Sequence, residues 1–190
     1  MGIESEFIWF DGEMINWRQA TIHILSHALH YASSVFEGER SYGGKIFKLT
    51  EHSERFQISA ETLGFELPYS VAEIDAACIE TCEANDIVDG YVRPVAWRGS
   101  EMMGVSAQET RIHVAIAAWA WPSYFSPEAR MKGIRLKTSE WRRPSPETAP
   151  VKAKAAGLYM ICTLSKHAAE AEVYHDCLML DWRGHVAEAT

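Results

Sequence analysis

Pro150-Val151-Lys152-Ala153-Lys154-Ala155-Ala156-Gly157-Leu158-Tyr159 sets two lysines in a run of small residues, with apolar chain on both sides. An ammonium group prefers water, and alanine and glycine offer it no partner charge. Held there, a lysine is desolvated, its pKa falls, and the neutral amine becomes a nucleophile toward an aldehyde. A Schiff base to a bound small molecule is one use of such an amine. The plainer reading is a lysine at a strand end, its stem on the surface and its head in solvent. Only companions elsewhere in the chain decide between the two.

The stretch also divides the chain. Residues 139–150, just before it, carry Pro144, Pro146 and Pro150 and read as an irregular connector. This gives a first lobe at 1–138 and the beginning of a second at 151–190. Downstream, residues 157–171 read as a helix with Leu158, Ile161, Leu164, Ser165 and Ala168 on one face. Residues 177–181 and 185–188 read as strands joined by a turn at 182–184. The sequence ends at Thr190, inside that fresh strand. A complete fold seldom stops there, so the second lobe is expected to be truncated.

Upstream, Asp11-Gly12 between residues 7–10 and 13–17 reads as a hairpin turn. Residues 34–42 read as one strand, Gly43-Gly44 as a turn, and 45–49 as its partner. Thr50 is expected to cap a helix that runs to Leu63 and closes at Gly64. Ser70-x-x-Glu73 is a capping box opening a second helix, to about Ala84. Residues 90–99 read as a strand in which Pro94 points to an edge or a bulge. Residues 111–121, nearly all apolar, read as a strand buried on both faces. Residues 126–128 open a short helix and 133–139 form a strand. The pattern predicts an α+β fold with a largely antiparallel sheet.

At 190 residues the chain is one large domain, or one domain and part of another. An apolar fraction of 47% with 23% charged residues is globular composition and excludes wholesale disorder. A formal charge of −8 argues against nucleic acid or an anionic membrane as partner. Arg142-Arg143 is too small to make a basic patch. No apolar run is long enough to span a bilayer. Cys78 and Cys82 lie four apart in a helical pattern, and Cys162 and Cys177 show no metal spacing. With no secretory leader visible, reduced thiols and a cytoplasmic location are expected.

Several residues carry chemistry beside a plainer reading. His23, His27 and His30 have spacing that suits a metal on a helix, but no acidic support lies nearby. Hydrogen bonding within the fold, with no metal, is expected of them. Arg55 can offer two donors to a phosphate, or pair with Glu51 one turn back. Arg93 stands in an apolar strand, where a guanidinium needs a carboxylate or phosphate partner. Tyr31, Phe36, Trp121 and Tyr124 can be core aromatics or the walls of a pocket. Glu188 follows Lys154 by a helix and a hairpin, a path that can return a side chain near its start. A carboxylate there can bind a protonated pyridine nitrogen, or can simply be solvated.

Taken together, IWFDGEMINW (8–17), SHALHYASSVFEG (26–38), EHSERF (51–56), YVRP (91–94), AAWAWPSY (117–124), KAAGLY (154–159) and GHVAEAT (184–190) resemble the branched-chain amino acid aminotransferases. These are pyridoxal-phosphate enzymes of fold type IV, and the resemblance runs the length of the chain. It implies a fold of that type, with the second, barrel-like lobe incomplete. Lys154 looks like the lysine that holds pyridoxal 5'-phosphate and moves the substrate proton. Arg55 matches the residue on the cofactor phosphate, Tyr159 the one on the ring oxygen, and Glu188 the one on the pyridine nitrogen. Tyr31, Phe36, Gly38, Trp121 and Tyr124 match the side-chain pocket. Arg93 matches the residue that receives glutamate's distal carboxylate. Met103 and Val105 match a loop that, in the family, reaches a neighbouring subunit's pocket, which implies a homodimer or larger homo-oligomer.

The implied reaction moves an amino group between leucine, isoleucine or valine and 2-oxoglutarate. D-amino acid aminotransferase and aminodeoxychorismate lyase share Lys154, Arg55 and Glu188 and are the enzymatic alternatives. An inactive fragment is the other alternative. Family members are longer, and their remaining part supplies further donors to the phosphate and a loop on the substrate's α-carboxylate. A chain without it is expected to bind the cofactor weakly, react slowly and self-associate through exposed strand edges.

Overall fold

The computed structural model describes residues 5–121 and 127–190. They divide into two compact units, residues 5–121 with 153–156, and residues 127–152 with 157–190. Strand pairs in the first are all antiparallel and are packed by helices, as an α+β fold requires.

The first unit begins with the expected hairpin. Strands β1 (Phe7–Phe10) and β2 (Glu13–Asn16) pair from Phe7↔Asn16 to Phe10↔Glu13. Asp11 and Gly12 both take positive φ, 50° and 98°, which matches the twist of a tight hairpin. The Asp11 carboxylate then ties the turn inward, accepting from the Val114 amide at 2.9 Å and meeting His113 Nδ1 at 2.6 Å.

The next stretch departs from expectation. Residues 34–42 form two strands, β3 (Ser34–Phe36) and β4 (Glu39–Tyr42), broken at Glu37-Gly38. A short β5 (Lys45–Ile46) follows β4. The reason lies across the sheet. Strand β6 (Gly90–Arg98) pairs β7 (Ile112–Ala120) along its whole length on one side. On its other side it holds β3 through Val95–Trp97 and β4 through Gly90–Val92. Pro94 sits at the gap between those two partners. It is therefore in the middle of the sheet and not at an edge, and Glu37 N donates to its carbonyl at 2.9 Å. The sheet order is β2-β1-β7-β6-β4-β5, with β3 beside β6.

Two helices cover one face. Helix α2 (Leu49–Thr62) starts after Lys48, which takes a left-handed φ of 56°, before the expected Thr50 cap. The Thr50 hydroxyl donates instead to Asp75 at 2.6 Å. Helix α3 (Val71–Ala84) carries the expected capping box, with Ser70 N donating to Glu73 Oε2 at 2.8 Å. Ser70→Ala is expected to lower stability by about 1 kcal/mol, read as a shift in the urea midpoint. Phe56, Ala60, Ile74, Ala77 and Cys78 from these helices meet Val35, Val92, Val114 and Ile116 from the sheet. Because strand side chains alternate, Tyr91, Arg93 and Phe36 fall on the opposite face.

Ahead of β3, α1 (His27–Tyr31) is a single short turn ended by Ala32 with φ 55°. The histidines in and before this turn make hydrogen bonds within the fold. His23 Nδ1 accepts from Leu25 N, His30 Nε2 meets Ile24 O, and buried His27 joins Ser33 Oγ at 2.7 Å and Gly104 O at 2.8 Å.

In the second unit, α4 (Pro127–Lys132) precedes β8 (Leu136–Arg142). Strand β8 runs across the 138/139 position at which the sequence suggests a lobe boundary. Helix α5 (Met160–Ala171), entered through a 3-10 turn at Ala156–Leu158, carries the chain to β9 (Asp176–Leu180), parallel to β8. Strand β10 (Val186–Ala189) returns antiparallel to β9. The Asp181 carboxylate shapes the turn between them, accepting from Arg183 N and His185 N at 2.9 Å each. Cys162, Ser165 and Ala169 on α5 are buried, as are Cys177 and Met179 on β9.

All four cysteines are buried, and none is in a disulfide. Burial raises the Cys82 thiol to about 11 and lifts the Cys78 thiol well above its ordinary value, so neither is a ready nucleophile. Among the described residues no helix is long and apolar enough to cross a membrane.

Candidate functional site

Lys154 is held by its backbone from two directions. Its amide donates to Ser59 Oγ on α2 at 3.0 Å, and its carbonyl accepts from Phe36 N at 3.1 Å. An isolated bridge between Val35 and Ala155 extends that contact. The side chain is half-buried, with Nζ 4.7 Å from the centroid of the Phe36 ring. Lys152, two residues earlier, is exposed. The small residues around Lys154 now have a reason: Ala153 and Ala155 are buried at 5% and 4% exposure, where larger side chains would not fit.

The same ring carries a second cation. Arg93 on β6 places Cζ 4.6 Å from the Phe36 centroid and 5.0 Å from that of Tyr91. Its Nη2 donates to the Tyr91 hydroxyl at 2.9 Å. Its Nε is buried and has no hydrogen-bond acceptor among the described residues. Gly38 completes this corner, because a Cβ there would overlap the Tyr91 hydroxyl. Arg93 also borders a groove of about 310 Å³ lined by Phe10, Leu29, Val95, Trp97 and Ala117. Trp121, half-buried, packs 5.7 Å from Tyr91. Phe36, Gly38, Arg93, Trp121 and Lys154 are thus brought together, directly or through Tyr91.

Other candidates stand apart. Tyr31 ends α1, 45% exposed and stacked 4.5 Å from His27. Met103 and Val105 lie on the β6–β7 loop, both exposed, and no hydrogen bond among the described residues joins them to the other candidates. Tyr124 lies outside the described residues.

Arg55 has a different carboxylate partner from the local one. Glu51 pairs with Lys48. Arg55 reaches Glu37, with Nε on Oε1 at 2.6 Å and Nη2 on Oε2 at 2.7 Å. His52 Nδ1 meets Glu37 Oε2 at 2.9 Å. Glu37 is fully buried, and burial alone would raise its pKa. The hydrogen bonds and charges of Arg55 and His52 outweigh this and hold the carboxyl below its usual value. Two residues on, Glu39 is equally buried and neither of its oxygens has a hydrogen-bond partner among the described residues. Burial, then the charges of Glu37 and Asp75, push it up to about 8, so it is mostly protonated at neutral pH.

The second unit holds the remaining two. Tyr159 precedes α5, and Arg143 Cζ lies 5.8 Å from its ring centroid. Arg143 donates from Nη1 to Leu158 O at 2.8 Å, and its Nε lies 3.0 Å from Glu188 Oε1. Arg143 therefore connects Tyr159 to Glu188, which sits on β10 with its side chain 43% exposed.

Chemically, the first unit offers a primary amine, an arginine whose buried Nε meets no acceptor among the described residues, and a second arginine anchored by a carboxylate. That set suits a carbonyl compound bearing anionic groups. The sequence matches the amino-transferase class IV family over residues 34–190. The chain belongs to that family. A class IV relative, the probable branched-chain-amino-acid aminotransferase of Rickettsia bellii, is 45% identical over 184 residues, covering 97% of this chain and 62% of that protein. The branched-chain-amino-acid aminotransferase of Pseudomonas aeruginosa is 39% identical over 187 residues, 96% of this chain and 61% of its own. The crystal structure of the T.th. branched-chain amino acid aminotransferase with pyridoxamine 5'-phosphate superposes with a TM-score of 0.93 at 39% identity. That match covers 99% of this chain and 63% of the other. This class IV chain therefore spans somewhat over three-fifths of the length of the relatives it matches, and its fold is fold type IV.

Sequence reasoning missed Glu37, His52, Tyr91 and Arg143 as parts of these clusters. Tyr91 and Arg93, two apart on one strand, had to share a face, and that period was a usable signal. Glu37 and Arg143 gave none, since their partners lie 18 and 45 residues away.

Proposed function

We propose that this chain is the cofactor-holding part of a pyridoxal 5'-phosphate-dependent branched-chain amino acid aminotransferase. The observation that carries this reading is the pair of cations, Lys154 and Arg93, on the single ring of Phe36, with Arg93 Nε buried and lacking an acceptor among the described residues. A half-buried amine fits the cofactor aldehyde. An unmet guanidinium donor fits a substrate carboxylate. Arg55 fits the phosphate, Tyr159 the ring oxygen and Glu188 the pyridine nitrogen, each on its own unit's geometry.

When bound, the cofactor supplies an electron sink for the substrate α-carbon. Lys154 holds it covalently and moves the proton at that carbon. Glu188, steadied by Arg143, keeps a proton on the ring nitrogen. Phe36 and Trp121 wall the aliphatic side chain of leucine, isoleucine or valine. Gly38 leaves room for Tyr91, and Tyr91 orients Arg93 toward glutamate's second carboxylate. The exposed Ile24, Leu25, Leu29 and Tyr31 support a homo-oligomer, in which Met103 and Val105 serve a neighbouring copy. A cytoplasmic location goes with this reading.

The test is a single turnover. Chain loaded with pyridoxal phosphate is mixed with one amino acid, and conversion to pyridoxamine phosphate is followed by absorbance. L-leucine and L-glutamate should convert slowly and D-alanine should not. Conversion by D-alanine alone would favour the D-amino acid enzyme instead. In the same assay, Arg93→Leu should slow glutamate about thirtyfold while leaving leucine nearly unchanged, because only glutamate brings a second charge to that donor.

A further inference from the structure

We propose that Glu37 is a positioning residue for phosphate recognition, fixing the guanidinium of Arg55 and linking it rigidly to Lys154. The inference rests on the reading of Arg55 as the residue that binds the cofactor phosphate.

Arg55 is half exposed, at 51%, in the middle of α2. Left to itself such a side chain samples many rotamers, and ordering them weakens any anion it binds. Glu37 removes that freedom. Its carboxylate takes Nε and Nη2 together, at 2.6 and 2.7 Å, a two-point grip that fixes the plane as well as the place of the guanidinium. A guanidinium carries five N–H donors, more than one carboxylate can accept, so the grip is compatible with a phosphate on the same group. Glu37 is itself immobile. It is fully buried, its amide donates to Pro94 O at 2.9 Å, and His52 meets its second oxygen.

The backbone break at Glu37-Gly38 gives this a second consequence. Phe36, next to Glu37, donates its amide to the Lys154 carbonyl, and Ser59, one turn beyond Arg55 on α2, accepts from the Lys154 amide. Two bridges therefore join the same two parts. One runs from Arg55 through Glu37 and Phe36 to Lys154. The other runs from α2 through Ser59 to Lys154. Together they fix the spacing between amine and guanidinium, which a ligand with an aldehyde at one end and a phosphate at the other would read.

The experiment compares binding of pyridoxal phosphate and pyridoxal, which differ only in the phosphate, by quenching of tryptophan fluorescence. The preference for the phosphorylated form should fall about tenfold in Glu37→Gln and at least as far in Arg55→Lys, while pyridoxal binding stays unchanged. The double variant should be no worse than Arg55→Lys alone, since the glutamate acts only through the arginine. Glu37→Asp, which keeps the charge but withdraws the two-point grip, should lose the preference as well and serves if Glu37→Gln does not fold. An unchanged or increased preference in a folded Glu37 variant, with Arg55→Lys still impaired, would overturn the positioning role alone. An unchanged preference in Arg55→Lys would overturn the phosphate role of Arg55 and this inference with it.

Discussion

Glu39→Gln should make the protein more stable at pH 7 by roughly 3 kcal/mol and remove a decline in stability between mild acid and pH 8. Glu39 is 1% exposed, and its oxygens have no hydrogen-bond partner among the described residues. Glu37 on the same strand region, Asp75, Cys78 and Cys82 on α3, and Arg55 on α2 are the ionisable groups that interact with it among the described residues. Burial and the acidic neighbours raise its folded pKa from 4.5 to about 8. Between those values the folded chain keeps a proton that the unfolded chain has released. Stability is therefore fully present below 4.5 and is lost progressively as pH rises from there to about 8. Glu37 has the opposite sign: its depressed pKa contributes stability above its ordinary range, lost as pH falls through the folded value. Urea unfolding followed by tryptophan fluorescence at pH 5 and pH 8 checks this. Glutamine should show nearly equal midpoints, and the parent protein a clear drop at pH 8. Equal drops in both would refute the assignment to Glu39.

Gly38→Ala should cost up to about 3 kcal/mol and disturb glutamate more than leucine. A Cβ at this position overlaps the Tyr91 hydroxyl, which accepts from Arg93 Nη2 at 2.9 Å. Either the backbone at the β3–β4 break shifts or Tyr91 swings away, and in both cases Arg93 loses its orientation. Thermal unfolding and the two single-turnover rates measure the two effects. Unchanged stability with unchanged rates would mean that the corner is looser than its packing indicates.

Local signals in the sequence were reliable where the physics was local. Asp11-Gly12 predicted a hairpin because both turn residues adopt positive φ without strain from neighbours. Ser70 and Glu73 predicted a helix start because a capping box closes on itself. The break at Glu37-Gly38 was illegible, since residues 34–42 alternate like one continuous strand. What divides them is Pro94 on the facing strand, far along the chain. The same distance hid the partner of Arg55. Spacing on one helix favoured Glu51, whereas the fold gave Glu51 to Lys48 and Arg55 to Glu37. The burial of the carboxylates at 37 and 39 had no local signal, because charge is normally a marker of exposure. The family motifs named Lys154, Arg93 and Phe36 separately. Arg93 met the Phe36 ring through the sheet register between β3 and β6, and Lys154 met it through the bridge between Val35 and Ala155.

The most direct measurement is borohydride reduction of the chain mixed with pyridoxal phosphate, followed by digestion and mass spectrometry. The account predicts a pyridoxyl group on the half-buried Lys154, lost in Lys154→Ala and retained in Lys152→Ala. A label on exposed Lys152, or one that survives Lys154→Ala undiminished, would contradict it.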